Sequence, residues 1–297
     1  MHPVFVGLFP DADVTLLSKD NILFPMSSET LRRTSGWFRT MFSLPQNAQR
    51  DKSGASEPIS MTESSSVLAG LLSLASGIAL PPLNDIDFVD ALLFAADKYD
   101  MPLPVSLIRV TLPPLLDTSP IRAYGLACRM SWETEAKAAA TRTLGIDIMS
   151  PENMVHLSTL EPSHLMKLLS LHDRRRREAI DALEGNGVFG ANVRGVRCAG
   201  IKDDGTACDE LRDPTAWWAL KLAWNKEPWR FLALGESTFI QPSSIPELEA
   251  LLDDRCKRCS RVYYSRASTL ENLRNVAAAL PQTIDVRGQS GRSIDLR

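Results

Sequence analysis

Histidine is scarce, with four in 297 residues, at positions 2, 156, 164 and 172. No two of them stand at a spacing that grips a metal ion, and no His-Glu-x-x-His occurs. A Gly-rich phosphate loop and a nucleophile elbow are also missing, so the common nucleotide-binding and hydrolase sites lack their residues. Neither charge sign dominates: 33 Lys and Arg face 36 Asp and Glu, for a net charge of −3 and a pI near 5.9. That balance gives no global pull toward nucleic acid. Long apolar runs are absent too. The longest uncharged stretch, Ser64 to Asn84, is broken by serines and by Pro81-Pro82, so it reads as a buried helix and a loop, not a membrane span. The start Met1-His2-Pro3-Val4-Phe5 has neither the basic nor the apolar region of a signal peptide, and cysteines number only five. These features predict a soluble chain in a reducing compartment, cytoplasmic or nuclear, with no membrane partner.

What is present is ordinary globular material, 44% hydrophobic and 23% charged. The length suits two domains, or one with a long extension. Residues 1–118 carry 8 basic and 13 acidic side chains; residues 119–297 carry 25 and 23. This asymmetry names no partner by itself.

Val14, Leu16 and Leu17 predict a strand, Lys19-Asp20-Asn21 a turn, and Ile22-Leu23-Phe24 a second strand. Ser28 is placed as the cap of a helix at Leu31, and Ser35 as the cap of a helix carrying Phe38, Met41 and Phe42. Residues 44–58 read as a polar loop, and Ile59 and Met61 as a short strand. Val67, Leu68, Leu71, Leu72 and Ala75 repeat with helical period up to Gly77, a C-cap glycine. Phe88, Ala91, Leu92, Ala95 and Tyr99 predict one amphipathic face. Strands and helices mingle without a βαβ rhythm, which favours an α+β domain. Helices then dominate. Ser119-Pro120 and Ser150-Pro151 pair a cap with a first-turn proline, Trp132 to Leu144 is Ala-rich, and Leu165, Leu168, Leu169 and His172 continue to a stop at Gly185-Asn186-Gly187. Residues 185–215 turn glycine-rich. Pro242 to Leu252, capped by Ser243 or Ser244, and Ser268 to Leu280 are the last predicted helices.

Over the first third, these pieces resemble the BTB/POZ interaction domain, in the divergent form common in fungi. The resemblance is carried by Asp11-Ala12-Asp13-Val14, by Phe24, Leu31, Ser35, Phe38, Met41 and Phe42, by Ile59 and Met61, and by Leu71, Leu72 and Gly77. Its most specific part is Ala95-Ala96-Asp97-Lys98-Tyr99-Asp100-Met101, similar to the family's Ala-x-Lys-Tyr helix. Ser27 stands where the family usually has histidine, and Ala75 where it has tyrosine. The expected fold is an α+β BTB/POZ-like domain over 1–115, a mostly helical region over 116–184, a small Cys/Trp-containing module over 185–286, and a tail over 287–297. The resemblance implies a non-enzymatic adaptor. It would dimerise with itself, pair with another BTB protein, or dock on a cullin scaffold as a ubiquitin-ligase substrate receptor. Phe5, Val6, Leu8 and Phe9 are candidate association residues, since so short a leader has little core of its own.

Four cysteines lie in the last third: Cys198, Cys208, Cys256 and Cys259. Zinc takes four thiolates in a tetrahedron, often from Cys-x-x-Cys, and Cys256 and Cys259 have that spacing. Structural zinc, ordinary buried thiols and redox chemistry are the three readings, with Lys257 and Arg258 placed to lower a thiol pKa. Cys128 shares a helix face with Ile121 and Tyr124 and reads as core. Arg174 to Arg177 reads as a solvated helix end, His164 and His172 as core or rim, and Trp217, Trp218, Trp224 and Trp229 as a small core. The alternative function is a nucleic-acid-associated regulator built on the zinc module; the acidic pI counts against it.

Overall fold

In the computed structural model, which describes residues 1–9, 11–44, 57–78, 81–185, 197–231 and 245–284, the chain divides into two units, Met1–Ser119 and Pro120–Arg297. The first is the mixed α+β fold that the patterns predict. Strands β1 (Val14–Leu17) and β2 (Leu23–Met26) pair antiparallel, with Leu16 opposite Phe24. Asn21 takes the left-handed conformation (φ 63°) that closes their turn, a geometry asparagine tolerates. Strand β3 (Ile59–Ser60) lies parallel to β1 on its other side, giving the order β2-β1-β3. Pro25 lacks a ladder N–H and sits on an edge strand, where that loss is tolerated.

Helices α1 (Ser28–Thr34), α2 (Gly36–Ser43), α3 (Ser65–Ser76), α4 (Ile86–Lys98), α5 (Pro102–Thr111) and α6 (Pro113–Thr118) complete the unit. Ser27, not Ser28, caps α1, accepting from the Thr30 N–H. Ser28 is the first helical residue, and its N–H and Oγ donate to Asp13 at 2.7 and 2.6 Å. Asp20 accepts from Ser65 in the same way at the start of α3. Gly77 ends α3 left-handed at φ 70°. The buried face of α4 is Val89, Leu92, Leu93, Ala95 and Ala96; Ala91, predicted to be inside, is exposed. Tyr99 is buried, as its place in the pattern requires.

Two polar clasps fasten α4. The buried Ser35 Oγ caps α2 through the Phe38 N–H (3.1 Å) and donates to the Tyr99 carbonyl at 2.6 Å, across 64 residues of chain. Glu63, just after β3, accepts from Lys98 Nζ (2.8 Å) and from the Tyr99 hydroxyl. Burial pushes the Glu63 carboxyl up, but the bonds from Lys98, Tyr99 and Thr62 outweigh it and hold its pKa below the usual value.

The leader splits. Phe5 is fully buried and packs edge-on against Phe24 at 5.2 Å, and Phe9 stacks on Phe5. Phe5 belongs to the unit's own core, so its reading as an association residue is corrected; Phe9 is half-buried beside it. Val6 and Leu8 stay 55% and 45% exposed.

The second unit starts with four helices: α7 (Pro120–Arg129), α8 (Glu133–Thr143), α9 (Pro151–Leu157) and α10 (Pro162–Glu184). Ala123 and Ala127 of α7 and Ala136, Ala139 and Ala140 of α8 are all buried, the small residues that let two helices approach closely. Next come α11 (Thr215–Lys226), a 3-10 turn at Pro228–Phe231, α12 (Pro246–Leu252) and α13 (Arg266–Ala279). Ala179 and Leu183 of α10 share one core with Trp217, Leu220, Trp224, Phe231, Leu248, Leu251 and Leu273. Segments 116–184 and 185–286 are therefore packed together from Pro120 onward. The α12 helix begins at Pro246, with no side-chain cap at Ile245. The predicted start at Pro242 and caps Ser243 and Ser244 lie outside the described residues, as does the tail from 287. Among the described residues, no helix is long and apolar enough to cross a membrane.

Candidate metal centre

Two short hairpins build the centre. In the first, Arg197 bridges Leu211 and Ile201 bridges Ala207, both antiparallel. Gly205 turns it at φ 79°, and the Asp204 carboxylate accepts from the Thr206 N–H and hydroxyl at 2.9 and 2.6 Å. In this register Cys198 lies opposite Glu210 and Cys208 opposite Gly200, with N–H···O bonds of 2.8 and 2.9 Å. Side chains two apart along a strand share a face. Cys198 and Cys208 therefore look the same way, with Gly200 between them. The ten-residue offset, which the sequence did not reveal as a ligand spacing, is one hairpin's diagonal.

The second hairpin carries Cys256-Lys257-Arg258-Cys259. Arg255 bridges Val262, the Cys256 N–H donates to the Arg261 carbonyl (2.9 Å), and Ser260 is left-handed at φ 54°. This turn lifts Cys259 back toward Cys256. A Cβ built on Gly200 would stand 2.4 Å from the Cys259 sulfur, so the bare backbone there makes room for the fourth thiol.

All four Sγ atoms lie within 4.8 Å of one another. Cys198 and Cys259 sulfurs are 3.5 Å apart, and those of Cys208 and Cys256 3.6 Å. Cys198, Cys208 and Cys256 are buried; Cys259 is partly exposed. The amides of Gly200 and Glu210 point at Cys198 and Cys208, and those of Cys259 and Arg258 at Cys256. Burial and the neighbouring thiols push Cys198 up to about 12. Burial also raises Cys256, but the two amides and the Tyr263 hydroxyl outweigh it and bring it to about 6. Without a cation, four thiols this close cannot all ionise; a divalent ion at their centre removes that conflict.

Arg258 was expected to act on a thiol. It instead pairs with Asp209 (2.8 Å) and Glu210 (3.1 Å) of the first hairpin. Arg261 Nη1 donates to the Ala199 carbonyl at 2.7 Å. These contacts brace the hairpins from outside, and as exposed pairs each contributes at most about 1 kcal/mol.

The other predicted residues lie elsewhere. The arginine run is in the middle of α10, not at a solvated end. Arg175 is buried and donates to the Pro281 carbonyl at 2.9 Å, Arg174 donates to that of Thr283, and Arg176 and Arg177 pair with Asp173. Trp217 and Trp224 are core, the first stacked on Tyr264 and the second on Phe231 at 4.5 Å. Trp218 is exposed and Trp229 half-buried, which corrects the reading of all four as core. His172 is held against Thr143 Oγ1 at 2.9 Å, and burial and Arg175 lower its pKa to about 4. His164 pairs with Glu161. Cys128 is half-buried, and burial pushes its thiol up. Sequence reasoning missed Gly200 and Tyr263; a glycine two residues past Cys198 was the available signal. No family model matches the chain, and no curated protein matches it.

Proposed function

We propose that the chain is a non-enzymatic interaction adaptor. Its N-terminal unit acts as a BTB/POZ-like docking domain, and a structural zinc ion on Cys198, Cys208, Cys256 and Cys259 holds its C-terminal unit. The observation that carries the docking reading is the clasp between Ser35 and the Tyr99 carbonyl. It joins the Ser-x-x-Phe helix to the Ala-x-Lys-Tyr helix, the two motifs on which the resemblance rests. The order strand, strand, helix, helix, strand, helix, helix supports it as well. The zinc reading is supported by four sulfurs within 4.8 Å of one another, two pairs of them at 3.5 and 3.6 Å, in the thiolate-rich set that zinc prefers. A closed set of four protein ligands leaves no position for substrate, which suits a structural ion.

Sedimentation of the full chain tests the docking reading. A dimer of twice 32.8 kDa, or a complex with a purified cullin, is expected. Val6→Asp with Leu8→Asp places charge on the exposed part of the leader. It should raise the dimer dissociation constant at least about tenfold, or 1.4 kcal/mol. A strict monomer that binds neither a BTB partner nor cullin contradicts the reading.

A further inference from the structure

We propose that Cys259 is a site of oxidative modification by hydroperoxides, and that its oxidation closes a Cys198–Cys259 disulfide and expels the zinc ion. The inference rests on the zinc reading above and adds the regulation of that centre.

The four sulfurs are not equivalent. Cys198, Cys208 and Cys256 are 6%, 5% and 2% exposed, while Cys259 opens to solvent. Cys256 lies behind two amides and the Tyr263 hydroxyl. Against the Cys259 sulfur lies the backbone of Gly200, which puts no side chain of its own over it. Oxidant access follows exposure and thiolate character, and a metal-bound thiolate is already deprotonated. Cys198 Sγ, at 3.5 Å from Cys259 Sγ, is placed to resolve the first oxidation product. It comes from the other hairpin, so the new bond would remove a ligand from each half of the centre.

The chemistry balances. The Cys259 thiolate attacks the terminal O–H oxygen of the hydroperoxide; the O–O bond breaks, Cys259 becomes a sulfenic acid, and the other oxygen leaves as hydroxide from hydrogen peroxide, or as alkoxide from an organic hydroperoxide, and is protonated. The Cys198 thiolate then attacks the Cys259 sulfur; the S–O bond breaks and hydroxide leaves, also taking a proton. Two sulfurs lose two electrons in all, and the peroxide gains them. Only Cys208 and Cys256 remain as ligands, and two thiolates do not fill zinc's tetrahedron. A thiol reductant with zinc restores the centre.

The fifth cysteine, Cys128, is half-buried with a raised thiol pKa and is removed as Cys128→Ser to simplify the readout. The test treats the full-length, zinc-loaded Cys128→Ser chain with one equivalent of hydrogen peroxide. Zinc release is followed with a coloured chelator, and disulfides are mapped by mass spectrometry. Release of zinc with Cys198–Cys259 as the first disulfide is expected. Cys259→His keeps a zinc-binding nitrogen but cannot form the sulfenic acid, so it should slow release at least about tenfold. If that variant does not hold zinc, the disulfide map alone decides. Zinc retained through peroxide treatment, or a first disulfide between another pair, overturns this inference and leaves the zinc reading standing. A purified chain without zinc overturns both.

Discussion

Gly200 carries more of the centre than any residue outside its four thiols. It bonds across the hairpin to Cys208, and its missing side chain is the space that the Cys259 sulfur fills. Its backbone is not left-handed, so alanine is excluded by contact alone. Gly200→Ala should destabilise the second unit by about 1–3 kcal/mol, as overpacking does. It should also weaken zinc binding at least about tenfold in a chelator competition. Unchanged affinity would show that Cys259 is not held where Gly200 makes room. The four thiols were legible as candidates because Cys-x-x-Cys has a known use. Gly200 was not: its place two residues past Cys198 is the one signal, and it acquires meaning among the six glycines between 185 and 215 only once the hairpin register is known. His172 offers a second residue-scale test. Burial and Arg175 set its pKa at about 4, against an unfolded value near 6.5. Between those values the unfolded chain binds the proton and the folded one does not. Stability is therefore lost as pH falls through that window, by up to about 3 kcal/mol, with no contribution above it. The difference between wild type and His172→Gln in urea titrations at several pH values isolates this loss from acid release of metal; parallel curves would contradict it.

At the scale of elements, Ser35 joins two helices that are 64 residues apart in sequence. Ser35→Ala removes the cap of α2, worth about 1 kcal/mol, and a buried bond to the Tyr99 carbonyl, worth a similar amount. The first unit's urea transition should drop by about 2 kcal/mol; a change under about 0.5 would mean the clasp is incidental. Every strand and most helices of this unit were legible, because each has a local cause. Alternation marks β1, the Ser35 cap opens α2 and Gly77 closes α3. What was misread depended on contacts distant in sequence. Ser28 looked like a cap until Asp13 claimed it, and Ala91 looked buried because the α4 face was drawn through it and not through Val89. The arginine run looked solvated because the carbonyls of Pro281 and Thr283 that accept from it come more than 100 residues later.

At the scale of the molecule, the division into two compact units predicts separable unfolding. A zinc ion would close a long loop in the second: Cys208 and Cys256 stand 48 positions apart. Pinning such a loop lowers the entropy of the unfolded chain by an equivalent of about 4 kcal/mol in the polymer treatment of cross-links. Trp217, Trp224 and Leu248 pack inside that span, so a zinc ion on the four thiols and this core would stabilise each other. Metal analysis of the purified full chain, paired with thermal unfolding before and after chelation, tests this directly. One zinc per chain is predicted, with chelation lowering the second unit's transition and leaving the first unit's in place. Less than about a tenth of an equivalent of zinc, with no shift on chelation, would leave four ordinary thiols and contradict the account.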